Sequence, residues 1–211
     1  LIKRVAKTKK PMIISTGLSN LKEISLAYQT AKKHGAKDVT LLYCVSSYPA
    51  PIENFNLNNI LILKNKFKCR VGFSDHSKDN TVAIAASALG ADVFEKHIAL
   101  KNQKKGFDID FSVKGKELRD YIEAIKKTKI LLGSPNFVRK KSEIKNIKFR
   151  RSLYVSKSIK KGEKFTEHNL RSLRPKIGLD PIYIFKFLGK KSKKALPYGL
   201  PITKELLKKI I

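Results

Sequence analysis

The chain has 211 residues, 42% of them hydrophobic, and carries 46 Lys and Arg against 17 Asp and Glu, a net charge of +29. The apolar fraction is that of a folded domain and excludes an intrinsically disordered chain, and the length accommodates one large domain or one domain with a smaller companion. The longest run of small or apolar residues, Ala83 to Ala91, falls well short of the ~18 residues a membrane span needs, so no membrane partner is expected, nor is a signal peptide at the basic N-terminus.

Along the first two thirds of the chain, strand and helix patterns alternate. Met12–Thr16 is a short apolar run closed by Gly17. Asn20–His34 follows with Leu21, Ile24, Tyr28 and Ala31 on one face, which predicts a helix with Ser19 as its N-cap and Gly35 as its stop. Val39–Val45 reads as a buried strand and Asn54–Phe67 as a helix carrying Leu57, Ile60, Leu61 and Leu63. Arg70–Phe73 is a third strand, Thr81–Leu89 a short helix of small residues, Asp92–Leu100 a fourth strand, and Lys116–Leu132 a helix ended by Gly133. Four strand–helix units with short connections predict a parallel sheet flanked by helices, either an open doubly wound sheet or half of an eight-fold barrel. In both, chemistry belongs at the carboxyl ends of the strands. Polar residues gather there: Ser15 and Thr16, Ser46 to Tyr48, Ser74 to His76, and Glu95 to His97.

After Gly133 the composition changes. Residues 134–211 hold 22 Lys and Arg against five Asp and Glu, a net of +17. The stretch 134–148 reads as a linker. Ser152–Ile159, the Lys160-Lys161-Gly162-Glu163 turn and short segments at 166–174 and 203–210 then read as a small, turn-rich β domain, with Pro175, Pro181, Pro197 and Pro201 breaking any long helix.

The charge first points to nucleic acid, but only eight of the basic residues are Arg and 38 are Lys, with no aromatic stacking platform beside them. Base readers favour the arginine fork, so no nucleic-acid partner is expected; the lysines read as solvated faces, or as an electrostatic preference for anionic ligands. Cys44 and Cys69 lie in apolar strand-like runs, as buried thiols of a reducing, cytoplasmic compartment do.

Of four histidines, His76 and His97 each close a strand-like run. Imidazoles at neighbouring strand ends can converge on one divalent metal, or can simply be satisfied by backbone; spacing alone leaves both readings open. His34 and His168, in helix-end and turn contexts, are expected to be exposed and inert. Ser15, Ser46, Ser47 and Ser74 place hydroxyls at three successive strand ends, suited to phosphate or carboxylate oxygens and equally to ordinary turns. Asp108 and Asp110 can orient a polar substrate. The pattern stops at a strand-end site for an anionic substrate with a metal as an option.

Motifs carry the reading further. Lys-Pro-Met-Ile-Ile-Ser-Thr-Gly (10–17), Cys-Val-Ser-Ser-Tyr-Pro-Ala-Pro (44–51), Gly-Phe-Ser-Asp-His (72–76) and Glu-Lys-His (95–97) together resemble the sialic acid synthase family. Ser-Ile-Lys-Lys-Gly-Glu (158–163) and Leu-Arg-Pro (173–175) resemble that family's antifreeze-like (SAF, β-clip) domain. Within the family, the 46–51, 107–112 and 151–155 stretches are most similar to the pseudaminic acid synthase branch, with neuraminate and legionaminate synthases as near alternatives.

The resemblance implies an α/β fold, the second half of a (β/α)8 TIM barrel over residues 1–133 followed by a SAF domain over 149–211. It implies condensation of phosphoenolpyruvate with an N-acetylated amino-sugar to a nine-carbon 2-keto sugar acid and phosphate. His76 and His97 would hold a divalent ion, Mn²⁺ before Mg²⁺ or Co²⁺; Ser15, Ser46 and Ser74 fall on phosphoenolpyruvate-binding positions, and Tyr48 and Asp108 on sugar-contacting ones. Ser46 departs from the Asn usual in neuraminate synthases. Arg174 matches an arginine that the antifreeze-like domain sends into the partner's active site in a domain-swapped homodimer. Family members carry a whole barrel, so this chain is expected to be a piece of such an enzyme, inactive or unstable unless an upstream half is supplied. The competing expectation from another class is a binding module whose basic C-terminal domain captures acidic polysaccharide.

Overall fold

A computed structural model describes residues 1–211, which divide into two compact units, Leu1–Ser134 and Pro135–Ile211. The first opens with helix α1 (Ile2–Ala6), then β1 (Met12–Ser15), α2 (Leu21–Lys33), β2 (Val39–Cys44), α3 (Asn59–Phe67), β3 (Arg70–Asp75), α4 (Asn80–Ala88) and β4 (Phe94–Lys96). The four strands form one parallel sheet in the order β1-β2-β3-β4, each paired with its neighbour in sequence. A doubly wound sheet reverses its order at a switch point; this one has no reversal. Two short strands, β5 (Ile98–Ala99) and β6 (Val113–Lys114), pair in parallel beyond it, and α5 (Lys116–Leu132) closes the unit.

Packing follows the apolar pattern. β2 is the inner strand whose residues 39–42 are all buried, as a strand covered on both faces must be. Ile24 and Ala31 of α2, Ile60 and Leu63 of α3, and Val82 and Ala86 of α4 bury against Met12, Leu41, Val71 and Phe73. Gly72 is required on β3: a Cβ there would collide with the Val93 carbonyl oxygen and the Leu42 side chain. The helix over 21–33 is capped by Asn20, not Ser19. Its side chain accepts from the Lys22 and Glu23 amides at 2.9 and 3.1 Å, while Glu23 accepts from the Asn20 amide at 2.7 Å. The reciprocal box satisfies more of the helix's free amides than a lone serine would.

Two elements differ from the pattern reading. The run 54–67 is not one helix: a 3-10 turn at Ile52–Asn54 precedes α3, because Asn56 adopts a positive φ of 36° that no α-helix tolerates. The run 92–100 breaks at His97 into β4, paired with β3, and β5, paired with β6, and His97 sits at the switch with its carbonyl accepting from the Val113 amide at 2.9 Å.

The second unit holds α6 (Lys141–Ile144) and a 3-10 turn (Lys145–Phe149) in the stretch read as a linker. An antiparallel pair follows, β7 (Ser152–Val155) with β8 (Leu170–Leu173), joined by isolated bridges at Tyr154–Pro201, Ile159–Leu196 and Lys164–Lys191. Leu153, Val155, Phe165, Leu170, Phe187 and Ile202 form its core. The segment 203–210 is a helix, α7 (Lys204–Ile210), rather than part of the β structure, since the Thr203 hydroxyl accepts from the Leu206 amide and starts it. No helix is long and apolar enough to cross a membrane.

Candidate functional site

Parallel strands running one way deliver their carboxyl ends to one edge of the sheet, and Ser15, Ser46, Tyr48, Ser74, His76, His97 and Asp108 lie at or just beyond those ends, whereas Arg174 lies in the second unit. Ser74 on β3 is in register with Cys44 of β2 and Glu95 of β4. His76 follows the end of β3, His97 follows β4, and Tyr48 and Asp108 come from the loops after β2 and β5.

Four rings meet at this edge. Tyr48 lies 4.3 Å from His76 and 6.2 Å from His97 between ring centroids, and the two imidazoles are 5.3 Å apart. Phe111, buried despite its polar loop, packs 5.0 Å from His97, 6.3 Å from His76 and 5.5 Å from Tyr48. His76 is itself buried, and its Nδ1 lies 2.8 Å from the Val45 carbonyl oxygen. A carbonyl only accepts, so Nδ1 carries the hydrogen, and in the neutral ring the lone pair lies on Nε2. His97 Nδ1 faces Asp108 Oδ2 at 3.6 Å, a neighbouring carboxylate just beyond hydrogen-bond reach.

A backbone bond on Nδ1 that leaves Nε2 to face the site, as at His76, is one way in which metal-holding histidines are oriented. Two nitrogen donors suit a divalent ion that takes its remaining ligands from water or substrate oxygens. No third His, Cys, Asp or Glu joins them to complete a protein-only cage. The pair therefore fits an open ion site and does not fit a closed structural one.

The serines behave differently from one another. Ser74 Oγ donates to Glu95 Oε1 at 2.6 Å, so its proton is committed and must be released before Ser74 can donate to an anion. Ser15 Oγ sits 3.1 Å from Cys44 Sγ, a weak partner readily exchanged for a ligand oxygen. Ser46 packs against Gly17, where any Cβ would overlap its Oγ, and Ser47 Oγ donates to the Pro49 carbonyl at 3.3 Å. Asp110 is exposed, in the same loop as Asp108. Arg174 belongs to the second unit and is exposed; the next residue's carbonyl accepts from Ser152 Oγ and from Tyr154 OH. His168 is exposed, whereas His34 is half-buried with Nδ1 2.9 Å from the Thr30 carbonyl, a helix-end bond that accounts for it.

Sequence reasoning missed what lies behind the rings. Asp75 and Lys96, each preceding one of the two histidines, have side chains only 0% and 4% exposed, with Lys96 Nζ 3.4 Å from Asp75 Oδ2. Burial pulls the Lys96 ammonium below its ordinary value, against the opposing pull of Asp75. Burial, and then the same carboxylate, pushes the Tyr121 phenol up. The missed signal was placement: a charged residue at the end of each of two adjacent strands, at matching positions.

Comparison with known proteins gives the chain its relatives. A model of the NeuB family matches residues 1–136 and one of the SAF domain residues 150–208. A protein named pseudaminic acid synthase from Campylobacter jejuni is 39% identical over 94% of this chain and 58% of its own length. One named N,N'-diacetyllegionaminic acid synthase from the same species is 42% identical over 90% of this chain and 58% of its own. The crystal structure of a spore coat polysaccharide biosynthesis protein from Bacillus subtilis superposes on all of this chain and 64% of that one, with a TM-score of 0.58 and 31% identity. The chain thus spans somewhat under two thirds of the length of these relatives.

Proposed function

The chain belongs to the NeuB family, and on that premise we propose that its first unit is the second half of a (β/α)8 barrel in an enzyme that joins phosphoenolpyruvate to an N-acetylated amino-sugar. The product is a nine-carbon 2-keto sugar acid; C3 of phosphoenolpyruvate bonds to the sugar's carbonyl carbon, water supplies the oxygen at C2, and phosphate leaves. The observation that carries this reading is the meeting of His76, His97, Tyr48 and Asp108 at one strand-end edge, with the lone pair of His76 on Nε2.

In this reading His76 and His97 hold a divalent ion, Mn²⁺ before Mg²⁺ or Co²⁺. Such an ion, when bound, supplies Lewis acidity toward a carbonyl oxygen. The chain's own residues do the rest. Ser15 and Ser46 offer hydroxyl donors to the phosphate and carboxylate of phosphoenolpyruvate, and Ser74 joins them once its bond to Glu95 opens. Tyr48, half exposed at 53%, presents its ring and hydroxyl to the sugar, and Asp108 accepts from sugar hydroxyls beside His97. Phe111 makes one wall apolar and keeps water from the backs of the imidazoles. Identity to relatives named for both pseudaminic and diacetyllegionaminic acids favours a 2,4-diacetamido-trideoxyhexose over N-acetylmannosamine. Arg174 is the residue that the SAF domain contributes to the site of a second copy in a domain-swapped homodimer.

The test joins this chain to the upstream half of a relative and measures phosphate release from phosphoenolpyruvate with Mn²⁺ and a panel of acetamido sugars. Release with a diacetamido sugar, lost in both His76→Ala and His97→Ala, is the expected result. Mn²⁺-stimulated release that persists in both variants would falsify the ligand assignment.

A further inference from the structure

Asp75 and Lys96 are register partners that close the ladder of β3 with β4, and the residue that follows each in the chain is one of the two histidines. The Lys96 ammonium makes more than the ion pair. It also donates to the carbonyl oxygen of Ser77, while Asp75 Oδ1 accepts from the Ser77 amide at 2.8 Å. One buried lysine on β4 therefore grips both residues that flank His76, at a carboxylate on one side and a carbonyl on the other. Behind it stands the ring of Tyr121 from α5, 5.6 Å from the ammonium.

Stability does not explain such a device. Taking two charges out of water is costly, and aliphatic replacements of buried pairs are often neutral or stabilising. An aliphatic pair would fill the same space but has no directional bonds, and would leave the 75–77 turn free to choose its own path. We propose that Lys96 is a positioning residue: through Asp75 and the Ser77 carbonyl it fixes the turn that carries His76, and with it the approach of His76 to His97. The geometric part stands on the contacts alone; the consequence for a bound ion rests on the reading of the histidine pair given above.

The test uses the full chain. Lys96→Met alone strands the Asp75 carboxylate and is expected to unfold, so the informative variant is Asp75→Asn/Lys96→Met, which removes both charges at nearly constant volume. One readout is the nitrogen NMR spectrum of the imidazoles, with the four histidines assigned by single replacement. Wild-type His76 should show one tautomer, hydrogen on Nδ1, as its bond to the Val45 carbonyl demands. The folded double variant should show a tautomer mixture at His76 with His34 and His168 unchanged. A second readout is Mn²⁺ titration by calorimetry, where affinity should fall by about 10- to 100-fold, the usual effect of losing a group that orients a ligand.

A single Nδ1–H tautomer at His76 in the folded double variant overturns the proposal whatever the metal does. Asp75→Asn alone, which keeps the bond to Ser77, is read by the same spectrum if the double variant does not fold; there an unchanged His76 overturns it and a mixture supports it. Mn²⁺ binding equal in wild type, His76→Ala and His97→Ala, or absent from wild type, sinks the metal reading instead, and the tautomer spectrum still decides the positioning role.

Discussion

Adding one methyl group at Gly72 should cost more than almost any single deletion on the surface of the first unit. The new Cβ would press on the Val93 carbonyl oxygen and on Leu42, and neither is the loose end of a flexible chain. That carbonyl accepts from the Phe73 amide at 2.8 Å, so relieving the overlap lengthens a bond of the β3–β4 junction. Overpacking costs about 1–3 kcal/mol and a weakened buried hydrogen bond about 1 more, giving about 2–4 kcal/mol for Gly72→Ala. Gly189→Ala is the control: nothing lies within 4 Å of its Cβ, and the only penalty is its φ of +80°. That penalty is about 1–2 kcal/mol. Hydrogen exchange read by mass spectrometry separates the two units, and Gly72→Ala should speed exchange across 70–96 while leaving 152–173 untouched. It should also weaken Mn²⁺ binding, because β4 moves and carries His97 with it. Wild-type exchange across 70–96 would refute the packing argument.

Three further outcomes follow from contacts already described. Ser152 is fully buried, and its Oγ accepts from the Ile177 and Gly178 amides at 3.1 Å while donating to the Pro175 carbonyl. Ser152→Ala should lower the stability of the second unit by about 1–3 kcal/mol and loosen the turn bearing Arg174, seen as faster exchange at 174–178. Asn20→Ala removes a capping box and should cost about 1 kcal/mol, with exchange rising first at 21–24. The hydrogen bond from Lys176 holds the Asp180 carboxyl below its ordinary value. A carboxyl lowered in the folded state contributes stability above its unfolded pKa of about 3.9 and loses it as pH falls through the lower folded value. The difference in melting temperature between wild type and Asp180→Asn should therefore be present at neutral pH and close below about pH 4; a gap that widens in acid would contradict it.

Much of the sheet was legible because its two inner strands are buried on both faces and read as nearly unbroken apolar runs, as Val39 to Cys44 does. The site was legible as a place for the same reason: polar residues immediately after such runs, at Ser74 and His76, have nowhere to go but the strand-end edge. Residues inside the runs were harder. Lys96 looks like any of 38 lysines, and nothing local distinguishes one whose partner lies on the neighbouring strand 21 residues earlier. Phe111 sits among Asp and Ser in a segment that reads as solvated loop, and its burial depends on rings from three other segments. The helix at 204–210 was obscured by Pro201 and three lysines, and its start depends on a single threonine cap.

The outer strand of the sheet has a bearing on how the molecule behaves in a test tube. In this 211-residue chain β1 pairs with β2 alone and Ile13 on it is 60% exposed, so its outer edge is a template on which another strand can grow, the upstream half of the proposed barrel where that is joined and a second copy where it is not. Lys9, Lys10 and Pro11 stand directly before β1: two charges, and a ring with no amide hydrogen to offer. With a net charge of +29, copies repel one another over about 10 Å at 0.1 M salt and over three times that distance at 0.01 M. Salt, usually added to keep a basic protein in solution, here removes the barrier that keeps these edges apart, and colloidal stability should be greatest in dilute buffer.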